Sequence, residues 1–162
     1  MTQTVKLRKM NNAEYIQWKE WSISDYAKEL IESGKYSENT AKAQAEIEFS
    51  SSLKNELSTP NHYILIAENT DGIPVGMIWY ETEDPKRAFI ADFVIYDQYR
   101  KMGYGRATLA EMENILRLNG VLSVLLHVFE HNKTAIALYE KCGFSIMKDS
   151  SGNGSLYMKK QF

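Results

Sequence analysis

The chain has 162 residues, enough for one well-packed domain and too few for two of ordinary size. Hydrophobic residues make up 44 % and charged residues 25 %, which excludes a disordered or low-complexity chain. The formal charge is -2, with bases and acids interspersed, so the concentrated basic face needed to grip nucleic acid is missing.

Residues 4–8 (TVKLR) alternate polar and apolar, as a short strand does. Asn11 and Glu14 have the spacing of a capping box. The recurrence of Tyr15, Trp18, Ile23, Tyr26, Ala27, Leu30 and Ile31 predicts a helix over 12–33, irregular near Trp21 and Ser22 and stopped by Gly34. A second helix is expected over 39–57, with Ile47, Phe49, Leu53 and Leu57 facing inward and Pro60 closing the region. The period then changes. Residues 62–68 and 73–81 read as two strands of a hairpin around the Asp-Gly turn in 69–72, and a second turn at 83–86 leads to a mostly apolar, central strand over 87–96. A glycine-bearing stretch follows, then a helical pattern to about Asn119, with Gly120 as its stop. Residues 121–129 form a β-rich run, central or parallel to its neighbour. Residues 132–144 read as an Asn-capped helix with Ala135, Ile136 and Tyr139 on its apolar face, and the tail as two strands around Gly152-Asn153-Gly154. The order β-α-α-β-β-β-α-β-α-β-β predicts one mixed α/β domain spanning residues 1–162, without repeats or linkers.

Cys142 stands alone, so no internal disulfide framework is available. The opening residues lack a signal-peptide core, and no apolar run is long enough to cross a bilayer. A cytoplasmic, water-soluble protein is expected, with no nucleic-acid or membrane partner.

The stretch YDQYRKMGYGRAT (96–108) carries most of the chemistry. A strand entering a helix through a glycine turn exposes consecutive backbone N–H groups, which with the helix dipole make an anion site. Gly103 and Gly105 would let an anion come close, and Arg100, Lys101 and Arg106 add positive charge. The bare alternative is a tight connection that needs glycine. Two nucleotide motifs fail here: no Gly-Lys-Ser/Thr follows at P-loop spacing, and Thr108 stands where the dinucleotide fingerprint wants a third glycine.

Arg100-x-x-Gly103-x-Gly105 after an apolar strand resembles the acetyl-CoA signature of the GNAT family of N-acetyltransferases. Asn132, Ala135, Tyr139, Gly143 and Phe144 match a second block of that family, and the element order resembles its fold along nearly the whole chain. The resemblance implies an acyl-CoA N-acyltransferase fold with a mixed, mostly antiparallel sheet flanked by helices. It also implies an enzyme that moves an acetyl group from acetyl-CoA, as co-substrate, to a primary amine of a small molecule or peptide. Direct attack in a ternary complex is expected; many relatives are dimers, and monomer and homodimer both stay open. A non-catalytic acyl-CoA-binding or regulatory module on the same fold is the alternative.

Carried over residue by residue, the resemblance places backbone groups of Phe93, Val94 and Ile95 along the pantetheine arm and acetyl carbonyl. Backbone amides of Lys101, Met102, Gly103, Tyr104, Gly105 and Arg106 would hold the pyrophosphate, aided by the Arg100 and Arg106 side chains. Asn132 would lie near the pantetheine, besides capping a helix. Tyr139 would be the general acid that protonates the departing thiolate; its bare alternative is an aromatic packed on the sheet. For the general base the candidates are carboxylates of the middle strands. Asp92 comes first, because a carboxylate in the apolar run AFIADFVI must line a cleft or find a partner. Glu81 and Glu83 follow, as bases or as attractants for a cationic amine. Trp18, Trp21 and Tyr26 fall on the helix that walls the acceptor cleft in the family, and otherwise read as core. His127 and His131 do not form a metal pair, no metal is expected, and Cys142 reads as a small buried hydrophobe.

Overall fold

A computed structural model describes residues 2–147 and 154–162. The chain forms β1 (Lys6–Lys9), α1 (Asn12–Glu32), α2 (Glu38–Ser52), β2 (His62–Glu68), β3 (Pro74–Asp84), β4 (Arg87–Ile95), α3 (Tyr104–Leu118), β5 (Ser123–Phe129), α4 (Lys133–Lys141), β6 (Ser145–Ile146) and β7 (Ser155–Gln161). These make one seven-stranded sheet in the order β1-β2-β3-β4-β5-β7-β6. Every pairing is antiparallel except β4 with β5. The last hairpin pairs β6 with β7 as expected, while Gly152 and Asn153 of its anticipated turn lie outside the described residues.

The strand period of two sends alternate residues to opposite faces. Ile78 and Tyr80 of β3, Ile90 of β4 and Leu126 of β5 pack with Leu109, Met112 and Leu116 of α3 and Ile136 and Tyr139 of α4. Met77 and Trp79, one residue out of phase, pack with Tyr15 and Trp18 of α1 and Phe49 of α2 on the other face. Ile78, Met112 and Leu126 are at most 1 % exposed. Each such side chain contributes about 1.5–3 kcal/mol relative to leaving it in water.

The capping box forms: Asn11 Oδ1 accepts from Glu14 N at 2.8 Å, and Glu14 Oε1 accepts from Asn11 N at 3.0 Å. α1 is continuous through Trp21 and Ser22, contrary to the expected irregularity, because Ser22 is buried there on a polar partner instead of breaking the helix. α2 ends at Ser52, earlier than the periodicity implied, and Leu57 belongs to a separate 3-10 turn, Glu56–Ser58. Its inner face is Ala41, Ala45, Phe49 and the following Leu53, whereas Ile47 is 60 % exposed. The small alanines let α2 approach α1 closely, so the face is narrower than the large residues suggested.

One irregularity positions the site. Trp79 pairs with Asp92 but Tyr80 pairs with Ile90, so Ala91 is an extra residue in β4, a β-bulge. A bulge bends its strand, and the parallel pairing of β4 with β5 ends there: it runs from Arg87↔Ser123 to Ile90↔Leu126. Beyond it β4 stays paired to β3 through Ile95, and β5 stays paired to β7 through Phe129. The sheet therefore opens into a gap between residues 91–95 and 127–129.

Candidate active site

An open cleft of about 1670 Å³ runs along this gap, bordered by the C-terminal halves of β4 and β5, α1, α2, the start of α3 and α4. Phe93, Val94, Ile95, Arg100, Lys101, Gly103, Gly105, Arg106, Asn132 and Tyr139 all line it. The strand segments facing the gap have backbone groups that no neighbouring strand satisfies on that side, the condition under which an extended amide chain adds itself to a sheet.

At the α3 end the loop delivers a row of free amides. Lys101 and Gly103 have φ of 61° and 92°, in the left-handed region, and Gly103 is the N-cap of α3. Among the described residues no N–H from Lys101 to Arg106 meets an acceptor; the first helical bond is Ala107 N to Gly103 O at 3.1 Å. Those amides and the helix dipole are suited to a phosphate. Gly105 has a different reason to be glycine. A Cβ there would stand 3.1 Å from Leu138 Cδ2, so it keeps α3 against α4. The Tyr104 ring is buried with Ala67 and Val75, while Met102 is exposed. Arg100 is engaged already: its Nε donates to Ile95 O at 2.9 Å and its Nη1 lies 3.2 Å from Asp97 Oδ1. It braces the loop.

Tyr139 approaches the gap from the α4 side, its ring 6.3 Å from that of Phe93. Its hydroxyl has no hydrogen-bond partner among the described residues. Burial, then the negative charges of Asp92 and Glu29, raise its pKa, so the phenol holds its proton at neutral pH. Asn132 caps α4, its Oδ1 accepting from Ala135 N at 3.2 Å, and lines the cleft as well.

Asp92 reaches the cleft from the opposite face. Its Oδ2 accepts from Trp18 Nε1 at 3.0 Å and from Ser22 Oγ at 3.2 Å, and its Oδ1 accepts from Phe93 N at 2.9 Å. Burial outweighs these bonds and raises its pKa to about 6. Trp18 is core, wedged against Tyr15, Phe49 and Trp79, but its indole N–H serves this carboxylate. Trp21 and Tyr26 line the cleft.

Glu81 and Glu83 are absent from the residues lining the cleft. Glu81 stands between His62 and Phe89 in the sheet and accepts from Glu83 N at 2.6 Å, while Glu83 Oε1 is 3.3 Å from His62 Nε2. β3 runs three residues beyond the expected Glu81, to Asp84, and carries both acids past the cleft. His127 lines the cleft beside Phe129 and Tyr157, and His131 pairs with Glu32 at 3.0 Å. Among the described residues no group of three His, Cys, Asp or Glu is placed to hold a metal ion. Cys142 is half-buried, not buried, and faces a separate hollow of about 230 Å³ with Arg106, Glu113 and Lys160.

The residue that sequence reasoning missed is Glu29. It lines the cleft on the same face of α1 as Ser22 and Asp25 and has no hydrogen-bond or ion-pair partner among the described residues. Burial, reinforced by Asp25, Asp92 and Glu32, raises its pKa to about 7. Polar residues at i, i+3 and i+7 on an otherwise apolar helix face were the available signal.

The family model described as "Acetyltransferase (GNAT) family" matches residues 15–144. The chain belongs to the GNAT family. It is 33 % identical over 144 residues to YycN of Bacillus subtilis (strain 168), described as an uncharacterized N-acetyltransferase, covering 87 % of this chain and 92 % of that one. The crystal structure of YycN superposes with a TM-score of 0.86 at 31 % identity, over 92 % of this chain and 97 % of the other. The PaiA N-acetyltransferase of Thermoplasma acidophilum, solved in complex with coenzyme A, shares the fold with a TM-score of 0.73 at 21 % identity, over 98 % and 99 % of the chains. This GNAT member is an acetyl-CoA-dependent N-acetyltransferase that acts on an amine. No helix among the described residues is long and apolar enough to cross a membrane.

Proposed function

We propose that the protein acetylates a cationic primary amine by direct attack on acetyl-CoA within a ternary complex. The observation that carries this is the row of free amides from Lys101 to Arg106 at one end of the β4–β5 gap, with the Tyr139 hydroxyl free beside that gap. The amides hold the pyrophosphate, and the backbone of Phe93, Val94 and Ile95 pairs with the pantetheine arm. A β4 N–H facing the gap polarises the acetyl carbonyl. Asn132 closes the path of the arm, and Tyr139 gives its proton to the sulfur as it leaves.

Charge is divided along the cleft. Arg100, Lys101, Arg106 and Lys133 gather at the α3–α4 end, whereas the four acids Asp25, Glu29, Glu48 and Asp92 outweigh Lys35 toward α1 and α2. The acidic half attracts an alkylammonium group, on a small molecule or a peptide. Cys142 is not among the residues lining the cleft, so no thiol is placed to carry an acetyl intermediate. The lone cysteine suits a reducing cytoplasm.

The test is CoA release from acetyl-CoA across a panel of primary amines, followed by initial rates with both substrates varied. Turnover with intersecting double-reciprocal lines is expected. Parallel lines would overturn the ternary complex. Tight acetyl-CoA binding without turnover on any amine would favour the non-catalytic acyl-CoA-binding module instead.

A further inference from the structure

We infer that Glu29, on the cleft-facing side of α1, is the carboxylate that takes the proton from the acceptor ammonium, while Asp92 holds α1 in place. This rests on the acetyltransferase reading above and names a catalytic residue for it.

Position comes first. Ser22, Asp25 and Glu29 share one helix face, and all three line the cleft. Ser22 is tied to Asp92 at 3.2 Å, which turns that face toward the gap. Glu29 lies about 10 Å further along the helix axis at 1.5 Å per residue. The adjacent Leu30 packs with Phe129, the last residue of β5, so this turn of α1 spans from the β4 side of the gap to the β5 side. Helical side chains lean toward the N-terminus, which points Glu29 back toward Asp25 and Asp92.

The free valence comes next. A base needs a lone pair facing the substrate. Both lone pairs of Asp92 Oδ2 and one of Oδ1 are taken by Trp18, Ser22 and Phe93. Glu32 pairs with His131, and Glu48 takes hydrogen bonds from Tyr26 and Gln44. Glu29 has no such engagement; Asp25 shares that freedom but faces the positive charges of Lys28 and Arg100, whereas only negative groups act on Glu29. An unpaired, largely buried carboxylate costs stability, and such groups concentrate at functional sites.

Electrostatics supports the assignment. The groups acting on Glu29 are Asp25 and Glu32 on α1 and Asp92 on β4, all negative; Tyr26 on α1 and Tyr139 on α4 feel its charge, and Lys35 and Glu48 border the same cleft. A carboxylate kept near pH 7 accepts a proton and returns it to solvent readily.

The step balances. Glu29 removes one proton from the ammonium and later releases it to solvent. The neutral amine forms the C–N bond as the C–S bond breaks, and the sulfur takes its proton from Tyr139. The second nitrogen proton restores the phenol.

The experiment uses the full chain, acetyl-CoA and the panel amine that the wild type turns over fastest. The wild-type pH profile of kcat/KM should show an acid limb near pH 7, distinct from the higher pKa of an alkylammonium group. Glu29→Gln should lower kcat by about 100-fold or more, abolish that limb and leave the CoA Kd unchanged. Glu29→Asp should recover part of the rate and keep the limb. Asp92→Asn should keep the limb, moved to lower pH by the loss of a neighbouring negative charge, while losing thermal stability. Glu29→Gln with rate and limb intact overturns the inference, as does a limb that vanishes in Asp92→Asn alone. A wild type that binds acetyl-CoA yet acetylates no amine overturns the enzymatic reading, and this one with it.

Discussion

Tyr139 and Glu29 are both aimed at the cleft, yet only the first was legible in the chain. Tyr139 belongs to a block whose spacing from Asn132 to Phe144 is set by one short helix, so its neighbours in sequence reveal it. Glu29 depends on which face of α1 meets β4, a tertiary fact carried by the Ser22–Asp92 bond. Replacing Tyr139 by Phe removes the proton donor and little packing volume; kcat should fall by about 10²–10⁴-fold with CoA affinity unchanged, by CoA-release assay and calorimetry. Glu29 also predicts a stability effect. Its folded pKa of about 7 exceeds the ordinary value of 4.5, so between those limits the native state binds more protons than the unfolded chain. Its contribution to stability therefore falls as pH rises through that window. Glu29→Gln should raise Tm over wild type at pH 7.5 and narrow that advantage toward pH 4.5; an equal difference at both would contradict the assignment.

Among the elements, the strand of residues 62–68 appears with the bounds expected of its apolar run, because both its faces are buried from Ile64 to Ala67. The end of α2 does not. The apolar period continues past Ser52 into Leu53 and Leu57, but Leu53 leaves helical geometry at φ -114° and ψ 67°, and pattern alone cannot see that break. The loop into α3 was readable through its glycines, although they do different work: Gly103 supplies a left-handed N-cap and Gly105 a close approach to Leu138. A side chain at Gly103 is strained at φ 92°, whatever room surrounds it. Gly103→Val should tilt the amides and raise the CoA Kd by at least about tenfold, the cost of roughly 1.4 kcal/mol, measured by calorimetry. Trp18→Phe keeps the aromatic cluster and deletes one donor to Asp92. It should cost about 1.5–3 kcal/mol in chemical denaturation, the range for a hydrogen bond to a charged group.

For the molecule as a whole, the order of elements and the mixed sheet could be read in advance, since periodicity and turn chemistry mark each piece. The opening of the sheet could not, because it arises from one unpaired residue, Ala91, visible only in the register of β3 with β4. Nor did the net charge of -2 disclose that the cleft is basic at one end and acidic at the other. The division predicts that raising ionic strength should increase KM for a cationic amine more than KM for a neutral hydrophobic one, since both charged partners are partly solvated.

The bulge at Ala91 leaves the protein as two leaves on a short spine. One leaf is β1 to β4, the other β5, β7 and β6, and the rungs from Arg87↔Ser123 to Ile90↔Leu126 are the stitching between them. Beyond that stitching each leaf presents an inner margin whose outward amides no strand of the other leaf covers, the Phe93 N–H being held by Asp92 Oδ1. Such amides exchange with deuterium readily, while those deep in each leaf require larger openings. The donor's arm, laid between the margins, would act as a missing rung. Saturating CoA should then slow exchange in the outer parts of β4 and β5 and spare β1 and β2, a footprint that mass spectrometry of peptic fragments can read without any acceptor.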